Sequence, residues 1–297
     1  MPRETPAQRR RRLAVASGVT ASSGDFRTMC RKKPHRVGIV AEGDSWFAYP
    51  RKWIAFGADI NIVHHIADKL RGSNSANLLR LASNGDEAVE MTSGPQFQTL
   101  YEILKKNRDH IHLLLFSGGG NDIVGKHDML PLLKEYSPGM TALDCIDQHR
   151  FERKIDAIML AYHRLVDLCA DIVPNATIIT HTYDIPMPED SGAEFFWGLI
   201  KTKPWVFPYL ERRDIPQALH LPIIDHMLGT FGSRLRDLAG EPDVAPRLKV
   251  VDTQGTLRPG HGRDWLNEIH PTEYGFKRVT KKIYSEMRSA QPSLPEW

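Results

Sequence analysis

The 297-residue chain is 41% hydrophobic and 25% charged, the balance of a globular protein able to bury a core in one large or two ordinary domains. Part of its formal net charge of +3 sits in "RRRR" at positions 9–12, so the remainder is close to neutral and gives no support to nucleic-acid binding. Cys30, Cys145 and Cys169 are far apart and form no CxxC pair, which argues against a disulfide framework, a redox pair or a zinc site, and no apolar run nears the roughly 18 residues of a membrane span.

In chain order, residues 1–34 read as a basic, disordered leader. "LAVASGVTAS" after the arginines is too weakly apolar for a signal-peptide core, so a cytoplasmic location is favoured over export. Residues 35–297 read as one domain. "RVGIVA" (36–41), "NLLRLA" (77–82), "HLLLF" (112–116), "ATIITH" (176–181) and "LKVVD" (248–252) are short runs rich in branched residues, each a buried strand. Between and after them, residues 61–70, 97–107, 151–172, 223–239 and 275–288 carry apolar residues three and four apart, the spacing of amphipathic helices. Strand and helix in alternation predict an α/β fold, with a mostly parallel sheet of about five strands covered by helices on both faces, as in flavodoxin-like architectures. An insertion at about 184–216, dense in proline and holding Phe195, Phe196, Trp197, Trp205, Phe207 and Tyr209, interrupts the rhythm. It reads equally as a substrate-covering flap or as a packed subdomain.

Open parallel sheets bind ligands beyond the carboxyl ends of their strands, so the residues after each run carry the functional signal. "EGDSW" with Ser45 comes after the first run, "SNGDEA" with Gly85 after the second and "SGGGND" with Asn121 after the third, while "DWLNEIHPTEYG" with His270 comes after the last. Acyl transfer needs a nucleophile, a base and donors aimed at a developing oxyanion. Ser45 suits attack and His270 proton acceptance. The backbone amides of Ser45 and Gly85 and the Asn121 side chain suit the oxyanion hole. His181 and Asp184 in "HTYD" read either as pocket lining or as a satisfied turn.

These blocks, in this order, resemble the SGNH, or GDSL-type, hydrolase superfamily: "GDSW" at 43–46, Gly85 of "NGD", "GGND" at 119–122 and "HP" at 270–271. The resemblance implies a three-layer α/β/α sandwich and cofactor-free hydrolysis of carboxylic esters or thioesters, with a small-molecule or lipid-like ester as substrate. Some relatives transfer the acyl group instead. The family's catalytic acid lies three residues before the histidine, as DxxH, and "NEIH" places Asn267 there. Asn267 is the expected partner of His270, orienting it without charge; Asp264 and Glu268 are the alternative acids.

Four rival readings are weighed against this one. "GNDIVGKH" (120–127) imitates a phosphate-binding loop but puts His127 where a magnesium-binding hydroxyl belongs. A G-x-S-x-G elbow does not occur, which argues against the α/β-hydrolase fold. His64 and His65 face different directions on a helix, so no metal site is expected there. A non-catalytic ligand-binding protein of the same fold, its triad broken at Asn267, is the alternative to an enzyme.

Overall fold

All five apolar runs are strands of one sheet. The computed structural model describes residues 4–49, 60–125, 128–190, 194–195, 200–201, 204–260 and 262–297. Its strands are β1 (Val19–Thr20), β2 (Val37–Gly43), β3 (Ala76–Arg80), β4 (Ile111–Ser117), β5 (Thr177–His181), β6 (Glu194–Phe195), β7 (Ile200–Lys201) and β8 (Leu248–Val251). β6 and β7 form a separate antiparallel pair, and the other six make one sheet in the order β1-β3-β2-β4-β5-β8 with every pairing parallel. Every residue of β2 is buried, as expected for a central strand covered on both faces, which reads as a continuous apolar run rather than an alternating one.

The helices are α1 (Pro6–Ser17), α2 (Ser23–Lys32), α3 (Ser45–Ala48), α4 (Ile62–Leu70), α5 (Ala88–Met91), α6 (Gly94–Lys106), α7 (Gly120–Val124), α8 (Met129–Leu132), α9 (Gln148–Ile172), α10 (Phe207–Glu211), α11 (Gln217–Ala239) and α12 (Glu273–Ala290). Right-handed crossovers fix their faces. The chain moves from β2 to β3 through α4 in one direction, then back across β2 to β4 through α6 and onward through α9 and α11. α4 therefore covers one face, where α12 packs against it, and α6, α9 and α11 cover the other, where α9 touches both neighbours. The reversal at β2 is the topological switch point, and the crevice it opens lies at the carboxyl ends of β2 and β4.

The amino-terminal segment departs from expectation. Composition predicts a disordered leader over residues 1–34, yet α1, β1 and α2 occupy 6–32 and supply the sixth strand of the sheet. Local sequence explains α1: Thr5 and Gln8 form a reciprocal capping box, Pro6 opens the helix, and Gly18 closes it with a left-handed φ of 78°. α2 buries Phe26, Met29 and Cys30, spaced three and four apart. The arginines that suggest disorder are partly structural, since Arg10 and Arg11 bond the buried Asp25 carboxylate at 2.8 and 3.3 Å. Buried Arg36 ties the end of α1 to the sheet, donating to the Val15 carbonyl at 2.8 Å and to Asn74 Oδ1 at 2.7 Å.

Of the 184–216 insertion, Phe196 and Trp197 lie outside the described residues. The remainder holds the β6–β7 pair and α10, with Trp205 and Tyr209 half-buried against the core. Among the described residues no helix is long and apolar enough to cross a membrane.

Candidate active site

Two glycines bring the strand ends together. A side chain on Gly43, the last residue of β2, would lie 2.7 Å from the Ser117 carbonyl oxygen on β4, and φ there is 157°. Gly119 after β4 has φ 109° and packs against the Phe231 ring, where a Cβ would come within 2.7 Å. Between them, Asp44 donates its backbone N–H to the Ser117 carbonyl at 3.0 Å and caps α3 by accepting from Trp46 N at 2.9 Å. Ser45 thus occupies the first position of a short helix, where backbone N–H groups lack intrahelical partners.

Beneath Ser45 lies a polar floor. The Asp44 carboxylate accepts from the Ser117 hydroxyl at 2.9 Å and from the Tyr183 hydroxyl, and Ser117 Oγ meets His181 Nε2 at 3.0 Å. All four residues are buried. Burial pushes the Asp44 carboxyl up to about 7 against the opposing pull of Tyr183, Trp46 N and Ser117, and pushes His181 down to about 4. His181 is a structural member of this floor, stacked on Trp46 with ring centroids 5.5 Å apart. Trp46 Nε1 donates to the Ile269 carbonyl at 3.2 Å, linking the serine's helix to the histidine's loop.

His270 Nε2 lies 2.8 Å from Ser45 Oγ and its Nδ1 lies 3.0 Å from Asn267 Oδ1. The orientation of the Asn267 amide is fixed by chemistry, because the same oxygen receives the backbone N–H groups of Ile269 at 3.2 Å and His270 at 3.0 Å. An NH2 group there would face two donors, so the oxygen must point inward and the amide nitrogen outward, where it donates to the Tyr49 hydroxyl at 2.9 Å. An acceptor facing Nδ1 places the ring proton on Nδ1 and leaves Nε2 free to accept from Ser45. The Tyr49 ring stacks on the imidazole at 3.9 Å, and the Trp205 ring meets it edge-on at 5.2 Å. Burial alone pushes His270 down to about 3.

The alternative acids point elsewhere. Asp264 accepts from Arg258 N at 3.0 Å and pairs with Arg278 Nη1 at 3.2 Å. Glu268 accepts the backbone N–H groups of Trp205, Val206 and Phe207, the last two at 2.8 and 2.6 Å. Burial pushes Glu268 up to about 7, with those donors drawing it back. Both imidazole nitrogens are already engaged by Asn267 and Ser45.

Gly85 sits in the turn after β3 with φ 86° and open space where a side chain would be. Asn121 lines one cavity with Ser45, Val124, Asp184, Leu228 and Ile269. Its Nδ2 donates to the Asp86 carbonyl at 2.9 Å, which ties the Asn121 amide to the residue after Gly85 and leaves its second hydrogen free of that bond. Asp122 reinforces the tie: its carboxylate takes the N–H groups of Ala88 at 2.7 Å and Val89 at 3.2 Å and so caps α5. Asp184 serves both readings, accepting from Ile185 N and Gly255 N at 2.9 Å each while lining the cavity.

Sequence reasoning gives no role to Tyr49, to Tyr183 of "HTYD" or to Asp122 of "GGND", and places Trp205 only within the insertion. Tyr49 caps the end of α3 one turn after Ser45, Asp122 adjoins Asn121, and Trp205 meets His270 through tertiary packing. Lys126 and His127 of the phosphate-loop-like pattern lie outside the described residues. His64 pairs with Asp68 at 3.0 Å on α4, and among the described residues no group of three or more His, Cys, Asp or Glu is arranged to hold a metal ion.

No family model and no curated protein matches the chain. Solved structures do. The lipase Lip_vut3 from a goat rumen metagenome is 18% identical, with a TM-score of 0.52 over 86% of this chain and 97% of that one. An extracellular lipase from Streptomyces rimosus is 14% identical, with a TM-score of 0.49 over 86% and 100%. A member of the lipolytic protein G-D-S-L family from Veillonella parvula is 13% identical, with a TM-score of 0.47 over 84% and 97%. The likeness to the goat-rumen lipase is one of fold, an α/β architecture that in this chain is a six-stranded parallel sheet reversing at β2.

Proposed function

We propose that the chain is a serine hydrolase that cleaves carboxylic esters. The observation that carries this reading is the line from Ser45 Oγ to His270 Nε2 at 2.8 Å and from His270 Nδ1 to Asn267 Oδ1 at 3.0 Å. It joins a hydroxyl to a base whose tautomer is set for accepting a proton.

Ser45 Oγ attacks the ester carbonyl as its proton passes to His270 Nε2, and the carbonyl oxygen takes the displaced electron pair. The Ser45 and Gly85 amides and the free hydrogen of the Asn121 side chain hold that oxyanion. Collapse breaks the bond to the alcohol oxygen, which takes the proton from His270. Water then adds to the acyl-enzyme with His270 as base, releasing the acid and restoring Ser45. Because burial disfavours the imidazolium and Asn267 brings no negative charge, His270 is ready to accept across neutral pH and poorly supported once it has done so.

Ser45→Ala is expected to abolish hydrolysis of a short-chain p-nitrophenyl ester and labelling by a fluorophosphonate probe while leaving the circular dichroism spectrum unchanged. A folded wild-type protein that neither turns over esters nor takes the probe would favour the non-catalytic binding reading. A folded Ser45→Ala variant with full activity would refute Ser45 as nucleophile.

A further inference from the structure

The Glu268 carboxylate, buried and displaced from the acid role, gathers three consecutive backbone donors: Trp205 N and Val206 N on Oε2 and Phe207 N on Oε1. These residues lead into α10, and a carboxylate there answers the unsatisfied amides at its start. Glu268 is adjacent in sequence to Asn267, so one tie fastens the aromatic insertion to the loop that carries His270. It holds in place the Trp205 ring, half-buried and edge-on to the imidazole at 5.2 Å. Tyr49 covers a face of the same imidazole at 3.9 Å.

In the reaction proposed above, the proton on His270 Nε2 goes to the leaving alcohol, so the alcohol oxygen must lie beside this imidazole. The group next to the imidazole therefore meets the alcohol half of the ester. Asn121, Val124 and Leu228 line the cavity at Ser45, and Trp205 is not among the described residues that line it. Resting on that serine-hydrolase reading, we propose that Trp205 is the wall against which an apolar alcohol group packs, and that Glu268 is the positioning residue that holds it there. The substrates this selects are esters of alcohols bearing a flat apolar face, an indole ring being a broad apolar surface with little rotamer freedom to lose.

The test compares two matched series on the full-length protein. Ethyl and 2-phenylethyl butyrate vary the alcohol; ethyl acetate and ethyl hexanoate vary the acid. Wild type is expected to prefer the 2-phenylethyl ester by about tenfold in kcat/KM, the scale of one partly buried ring. Trp205→Ala is expected to bring that ratio close to one and leave the acyl-length ratio where it was. Glu268→Gln, which sets an NH2 group among three N–H donors, is expected to lower the alcohol ratio likewise. Within each variant the common butyryl-enzyme is expected to deacylate at one rate whichever ester formed it, because the alcohol has already left. Retention of the full alcohol preference in folded Trp205→Ala would overturn the proposal, as would equal changes in both ratios. Trp205→Ala, at a residue only partly buried, keeps the test decisive if Glu268→Gln fails to fold. Fluorophosphonate labelling of Ser45 in wild type separates these outcomes from failure of the hydrolase reading itself.

Discussion

Asn267→Asp should speed the proposed ester hydrolysis. Asn267 Oδ1 lies 3.0 Å from His270 Nδ1, so a carboxylate there sets a full negative charge beside the imidazolium that forms as Ser45 attacks. Opposite charges about 4 Å apart interact by about 4 kcal/mol at an effective dielectric of about 20. Burying a new carboxylate consumes part of that. The remainder is favoured by the surroundings: Ile269 N and His270 N already aim at Oδ1, and the Tyr49 hydroxyl, now accepting from the amide, can turn to donate to the second oxygen. A net gain of about 1.4–2.8 kcal/mol, a 10- to 100-fold rise in kcat/KM, is expected. The gain falls short of the roughly 10⁴ lost in kcat when a serine protease's aspartate becomes asparagine, because that change also presents the wrong tautomer, and here Asn267 already holds the right one. The assay is the pH profile of kcat/KM on a short-chain ester. In the proposed mechanism His270 acts as the neutral base, and burial holds it down to about 3, so the wild-type profile should stay flat as pH falls to about 4. In the variant the acid limb should appear at higher pH, since a carboxylate stabilises the protonated ring. A folded variant with unchanged or lower kcat/KM and an unmoved acid limb would refute the reasoning.

Asn121→Ala should lower kcat by about 10²–10³ with KM little changed, as for loss of one oxyanion donor, and a change confined to KM would make Asn121 a binding group instead. Deleting residues 1–22 should destabilise the protein, because it bares the β3 edge and strips Arg10 and Arg11 from Asp25. With the half-exposed arginines discounted, about 2–3 kcal/mol is expected, a melting temperature lower by about 5–10 °C, and an unchanged midpoint would show the segment to be dispensable. Asp122→Ala should cost about 1–3 kcal/mol by uncapping Ala88 and Val89, and should slow catalysis through the loosened Asp86–Asn121 contact; denaturant unfolding and kcat are the readouts.

The central strands are legible in sequence because buried parallel strands read as unbroken apolar runs; "HLLLF" at 112–116 is Ile111–Ser117 in the fold, with one added residue at each end. The amino-terminal segment misleads because its net charge outweighs its pattern. Phe26, Met29 and Cys30 carry helical spacing behind a Ser22 cap, but the arginine run before them draws the reading toward disorder. In the site, Ser45 and Asn121 are legible from their places just beyond strand ends, His270 from its block between β8 and α12, and Asn267 from its distance to His270. The choice among Asn267, Glu268 and Asp264 turns on which way adjacent residues of one loop point, which spacing alone does not encode. Trp205 and Tyr183 reach the site across long stretches of sequence, so their roles emerge only from topology.

The position of β1 bears on the order in which the chain acquires its structure. β1 is made first, but its partner is β3, paired through Val19 with Leu78 and Thr20 with Leu79, and β3 itself rests on β2. The sheet must therefore grow outward from β2, and the earliest-synthesised strand has nothing to dock on until a longer stretch has emerged and condensed. α1 needs only its own caps to begin forming, so it is expected to persist as a tethered helix ahead of that event. Pulse-labelled hydrogen exchange during refolding should find the Leu78 amide, which bonds the Gly18 carbonyl at 2.8 Å, protected after the amides that join β2 to β4. Simultaneous protection of both would place the amino-terminal segment within the folding nucleus instead.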